Sequence, residues 1–252
     1  MPEWMQALLW GTIAGGALLA GAAAGYLGNV PQRIIALVTA FGGGVLIAVL
    51  AFDLMEEAYE RAGFEATAIG FLSGGLAFTV ATWALSLMSG GEPEQAGDTQ
   101  KSGGQHAGRG TTIAIGSLLD SVPESIVIGL SVLGGAVSWV TVIGITLSNI
   151  PEGMTGAAAM RQSGRPHRYV FGVWGVIALL TSVASLAGYS LFGGFSHDVT
   201  AAIAAVAAGA VLAMVATTMF PEAFAIAHNL TGLITVAGFL VAFGLDKLQQ
   251  GP

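Results

Sequence analysis

The chain has 252 residues, of which 54% are hydrophobic and only 9% charged, with a net charge of −7 and a mean hydropathy of +0.76. A soluble domain carries about 25% charged residues, so the composition points to a membrane protein and leaves little chain for a soluble domain. The acidic balance gives no reason to expect nucleic acid as a partner. The absence of cysteine excludes disulfides, thiolate metal sites and thiol catalysis.

Eight apolar runs follow one another at 5–28, 33–52, 66–88, 111–136, 138–160, 168–192, 199–220 and 229–248, each close to the roughly 20 residues that cross a hydrocarbon core. The expectation is an all-α, polytopic membrane protein with eight transmembrane helices, a single domain over 1–252 embedded in the lipid bilayer. The first run is preceded by Glu3 and by no Lys or Arg. A signal peptide needs a basic n-region, so this run reads as an uncleaved helix. Gly11/Gly15, Gly21/Gly25 and Gly70/Gly74 are each four apart, which puts them on one helix face and lets a neighbouring backbone approach. Such faces serve tight packing, and they also permit one helix group to slide on another.

The second run ends in Ala51-Phe52-Asp53-Leu54-Met55-Glu56-Glu57-Ala58. There Asp53, Glu56, Glu57 and Glu60 recur at i, i+3, i+4 and i+7, an acidic stripe on one helix face. Acids at a helix C-terminus oppose the macrodipole. The stripe is either a solvated helix end or an outer entry that concentrates cations. Beyond the third run, 89–110 is polar and Gly-rich and reads as a flexible cytoplasmic loop. His106 within it is a solvated side chain or a transient metal contact.

Basic residues accumulate on the cytoplasmic side of a membrane. With eight crossings, Arg33, Lys101, Arg109, Arg161, Arg165 and Arg168 fall on one side and Arg61 and Lys247 on the other. Both termini are therefore expected to be extracytoplasmic, in a multi-pass protein of the plasma (inner) membrane.

The fourth and fifth runs carry the chemistry. Each has a Pro-Glu pair near its middle, in Leu119-Asp120-Ser121-Val122-Pro123-Glu124-Ser125 and Leu147-Ser148-Asn149-Ile150-Pro151-Glu152-Gly153. Asp120 and Glu124 are four apart, as are Ser148 and Glu152, and each pair shares a helix face, with Ser121 and Asn149 one step round. The short connection between the runs makes the helices antiparallel neighbours with their midpoints at one depth. Each proline removes an N–H and frees a carbonyl, those of Leu119 and Leu147, and broken transporter helices expose such groups to ions. A packing kink accounts for one proline, but not for a carboxylate after each.

Three carboxylates at mid-membrane cost about 8 to 10 kcal/mol on insertion scales, against a stability of about 5 to 15 kcal/mol. No Lys or Arg lies near them in either run. A bound cation, retained protons or a water-filled cavity must compensate. The candidate metal ligands are Asp120, Ser121, Glu124, Ser148, Asn149 and Glu152. Glu222 and His228, at the inner end of the seventh run, are a candidate exit.

These motifs resemble the ZIP (Zrt/Irt-like) family of divalent-metal transporters. In one subgroup the fourth and fifth helices carry a pattern of the form His-Asn-x-Pro-Glu-Gly, where this chain has Asp120-Ser121-Val122-Pro123-Glu124-Ser125 and Ser148-Asn149-Ile150-Pro151-Glu152-Gly153. The seventh run's Met219-Phe220-Pro221-Glu222-Ala223 and the polar loop after the third also agree. The resemblance implies a secondary transporter, not an enzyme, with no cofactor and with zinc, manganese or iron as transported substrate. It further implies an elevator-like movement of the bundle holding the fourth and fifth helices, and admits a homodimer. Where the pattern has histidines, Asp120 and Ser148 stand here, which shifts the ligand set from nitrogen to oxygen and favours harder ions such as manganese. No acidic residue occurs between Tyr169 and Phe192, so one metal subsite is expected. The alternatives are an intramembrane acid/base hydrolase, for which Asp120 lacks a partner aspartate in these runs, and a metal sensor that does not transport.

Overall fold

The computed structural model describes residues 1–88, 106–133 and 138–250, and helix is the only regular structure among them. The helices are α1 (Glu3–Leu27), α2 (Gln32–Val49), α3 (Met55–Met88), α4 (His106–Leu133), α5 (Trp139–Gln162), α6 (His167–Phe192), α7 (His197–Met214), α8 (Phe220–Ala227) and α9 (Leu230–Gln250). Two π turns, Leu50–Leu54 and Val215–Met219, join α2 to α3 and α7 to α8.

Six stretches of described helix are long and apolar enough to cross a membrane. The second and third runs fall in one 56-residue stretch, Gln32–Leu87, because the acidic helical segment after Asp53 runs on into the third run. A break inside α3 divides it, where Gly63 takes φ 74° and ψ 172°. α5 is not among the six, since Ser148, Asn149 and Glu152 lower its apolarity. Residues 106–110, expected in the flexible loop, begin α4. The rest of that loop, 89–105, and the 134–136 end of the fourth run lie outside the described residues, as does the side chain of His106.

Local signals set several ends. α5 closes with Ser163 as its C-cap and Gly164 at φ 75°, and the Gly164 and Arg165 amides bond the Arg161 and Met160 carbonyls. This is the glycine-closed helix end that leaves few carbonyls unpartnered. The Arg161 guanidinium then reaches the Tyr26 and Gly28 carbonyls at 2.9 and 3.0 Å and Asn29 Oδ1 at 3.3 Å, capping α1 where cations suit the negative end of the helix dipole.

The helices gather into two bundles. In the first, α1 packs against α5 and α6, and α4 against α6 and α5; in the second, α3 packs against α7, and α2 against α9 and α8. Glycine explains this grouping. Gly21 and Gly25 of α1 lie on the Ile150 and Met154 carbonyls of α5, Gly153 on the Leu18 carbonyl, and Gly129 of α4 on the Ser185 carbonyl of α6. In the second bundle Gly74 meets Val206, Gly209 meets Phe71, and Gly44 and Gly238 lock α2 to α9. Each leaves no room for a β-carbon, so backbones touch directly.

Those contacts also give direction. α1 runs parallel to α5 and antiparallel to α6, α4 parallel to α6, α3 parallel to α7, and α2 parallel to α9. Between the bundles, a β-carbon on Gly42 would stand 3.2 Å from Ser148 Cα, and one on Gly144 2.6 Å from a Val49 methyl, so α2 is antiparallel to α5. Val45, Leu46 and Val49 meet Val127, Ile145 and Val211 in one apolar core across this boundary.

The chain contains an internal repeat that the sequence reading did not find. Shifting α2, its π turn and the start of α3 by 165 residues (32 to 197, 50 to 215, 55 to 220) gives α7, the second π turn and α8. The same shift carries Gly63 onto His228, the non-glycine residue with φ 47°. The two copies run in opposite senses, with Gly42 beside Met219 and Leu50 beside Val211.

Candidate metal centre

α4 and α5 bring the two Pro-Glu elements together where the bundles meet. Ser121 Oγ lies 3.4 Å from Glu152 Oε1 and donates at 2.7 Å to the Ser117 carbonyl. Asp120 is within electrostatic range of Glu124, Glu152 and Glu222. The expected common depth of the two motifs thus holds at the level of side chains.

Glu124 is the most enclosed of the described acids, only 1% exposed, and its carboxylate oxygens meet no hydrogen-bond donor apart from the neighbouring Ser148 hydroxyl. It lines a narrow cavity whose other walls are apolar, among them Leu46, Val49, Leu50, Val127 and Ile145. A buried polar group without a partner costs about 1–3 kcal/mol, and a charged one more. The ion pairs found among the described residues, Arg61–Glu57 at 2.9 Å and Lys247–Asp246 at 3.1 Å, involve other acids.

The neutral candidates differ in what they leave free. Ser148 is buried and donates to the Ile145 carbonyl at 2.9 Å, so its lone pairs remain available. Asn149 spends its Nδ2 on the Ala14 carbonyl of α1 at 3.0 Å, while Oδ1 is buried and unpartnered. It therefore ties α5 to α1 and still presents an acceptor. Among the described residues no group of three or more His, Asp or Glu side chains is arranged to hold a metal ion. The acids lie near one another without forming a closed cage.

The acidic stripe over 53–60 is divided. Asp53 Oδ2 accepts hydrogen bonds from Ser138 Oγ at 2.5 Å and from Thr141 Oγ1, Glu57 pairs with Arg61, and Glu56 and Glu60 are exposed. At the other end Glu222 and His228 separate. Glu222 is half-buried and faces Asp120 and Glu152, whereas His228 is an exposed C-cap of α8 with its ring edge-on to Phe224.

Ser138 and Thr141 were not singled out in the sequence, although a serine just before an apolar helical run is a capping signal. The 165-residue shift aligns Ala51-Phe52-Asp53-Leu54-Met55-Glu56-Glu57-Ala58 with Ala216-Thr217-Thr218-Met219-Phe220-Pro221-Glu222-Ala223, making Glu222 the counterpart of Glu57.

Compared with known proteins, the chain matches no family model, and no curated protein matches it.

Proposed function

We propose that the chain is a secondary transporter of divalent metal cations, built on eight membrane crossings and similar to the ZIP family its motifs resemble. The observation that carries this reading is Glu124, a buried carboxylate in none of the ion pairs among the described residues, whose neighbours are the Ser148 hydroxyl and the carboxyl of Asp120. Carboxylates desolvated together need positive charge, and neither α4 nor α5 supplies a basic residue at this depth. A cation from solution satisfies them while bound and leaves them repelling one another when it departs, which suits a transient site. Proton uptake into the emptied cluster follows from the same repulsion.

The alternating helix directions support eight crossings. α1, α3, α5 and α7 share one sense and α2, α4, α6 and α9 the other, which returns both termini to one side, and the Lys and Arg count makes that side extracytoplasmic. The bundle construction supports alternating access. Helices within a bundle meet backbone to backbone at many glycines, and α2 meets α5 across the boundary through Gly42 against Ser148 and the methyls of Val45 and Val49 on Gly144. Inverted repeats are a recurrent plan for carriers with a mid-membrane site.

The ligand oxygens of Asp120, Glu124, Ser148, Asn149 and Glu152 favour manganese or iron beside zinc. Uptake by proteoliposomes offered zinc, manganese, iron and cadmium tests the assignment directly. Uptake of at least one ion, lost in Glu124→Ala and Glu152→Ala, is the expected result. Metal binding without uptake would make the protein a sensor, and neither would return attention to acid/base chemistry.

A further inference from the structure

Asp53 sits on the π turn at the end of α2, in the second bundle, while both of its hydroxyl donors belong to the first turn of α5, in the first bundle. Ser138 does two things with one hydroxyl. It accepts from the Thr141 amide at 3.2 Å, capping α5, and it donates its hydrogen to Asp53. The carboxylate thus lies at the positive end of the α5 dipole, the place on a helix that best receives a negative charge. Between these two donors, the Val140 amide donates to Gln249 Oε1 of α9 at 3.4 Å, a second tie from the same turn of α5 to the second bundle. The neighbours of Asp53 on its π turn, Leu50 and Leu54, line the cavity that contains Glu124. The polar tie and the apolar wall over the site are therefore parts of one turn.

From this geometry we infer that Asp53, Ser138 and Thr141 form a latch that shuts the face of the protein at which α5 begins, and that it must open before an ion from that face reaches Glu124. The inference rests on the carrier reading for its purpose, though its geometry does not depend on what is carried. It gives Asp53 a role besides that of an acid in a cation-concentrating stripe, since Oδ2 already accepts from two donors of α5. The repeat equivalent of Asp53 (53 to 218) is the neutral Thr218, so the two copies do not carry the same carboxylate at this position.

The chain contains no cysteine, so a single Ile145→Cys reporter in the cavity wall can be labelled without background. The full-length protein in oriented proteoliposomes is treated on one side with a membrane-impermeant maleimide, with Asp53→Asn and, separately, Thr141→Val added to the reporter. Thr141→Val leaves both the carboxylate and the Ser138 cap in place. Hydrogen bonds to a charged group shift a two-state equilibrium by about tenfold or more, so both variants should label about tenfold faster from the face where α5 begins. Unchanged labelling in variants that remain folded and monodisperse would overturn the latch. So would a pattern in which Asp53→Asn lowers metal uptake while Thr141→Val changes neither uptake nor labelling, the mark of an ion-attracting acid. Faster labelling in a protein that moves no metal would retain the latch and remove the carrier.

Discussion

Gly63 and His228 end corresponding helices in two copies of one structural unit, with φ of 74° and 47°. Only the first is a residue that adopts such a conformation freely. A β-carbon on Gly63 would meet nothing within 4 Å, so the whole cost of Gly63→Ala is backbone strain, roughly 1–3 kcal/mol. His228→Gly removes strain of the same kind and should stabilise the protein by about 1 kcal/mol. Denaturation midpoints in detergent should move in opposite directions for the two variants.

Glu124 invites a prediction of two signs. Replacing the buried carboxyl by the isosteric amide in Glu124→Gln removes the need to hold a proton there when no metal is bound, and should stabilise the metal-free protein by roughly 1–3 kcal/mol at high pH, where that proton is lost. The same variant should lose the stabilisation that metal gives the parent through binding to the folded state. Thermal unfolding with and without manganese or zinc reads both effects. An unchanged response to metal would remove Glu124 from the site.

Much of this arrangement could be read along the chain. The apolar runs located the helices to within a few residues at most ends, and the repeated Pro-Glu pair singled out the two elements that meet as Ser121 and Glu152. What escaped depends on partners far away in sequence. Asp53 looked like one acid in a stripe because its donors lie 85 and 88 residues on. The acidic stripe was legible as one helix face from its spacing, but the apolar run ends at 52 while helix continues to the Gly63 break. The π turns leave no mark in hydrophobic periodicity, and the repeat shares few identical residues, so matching boundaries revealed it where composition did not.

The glycines fall into two energetic classes on one helix. In α1, a β-carbon on Gly21 would collide with the Ile150 carbonyl, while one on Gly16 would meet nothing within 4 Å. Gly21→Ala should cost about 1–3 kcal/mol by overpacking α1 against α5. Gly16→Ala should be neutral or stabilising by up to about 1 kcal/mol, as alanine favours helix. If both variants behave alike in a detergent unfolding assay, the α1 and α5 backbones are not in direct contact.

Glu222 and His228 were paired as one exit in the sequence, and the structure predicts that they separate in function. Glu222 follows Pro221 at the start of α8 and lies within electrostatic range of both Asp120 and Glu152, so a cation among those acids also feels its charge. Coulomb attraction at an effective dielectric near 20 is worth about 4 kcal/mol per unit charge pair at 4 Å and falls with distance. Even a fraction of that changes occupancy by about tenfold. Glu222→Gln should therefore weaken metal binding and slow uptake by about tenfold or more. His228→Ala should leave uptake within about twofold, since losing an exposed ring contact with Phe224 touches none of the acids. Initial uptake rates measured across metal concentration separate the two variants. Equal losses would place His228 on the ion's path and return the exit to the pair.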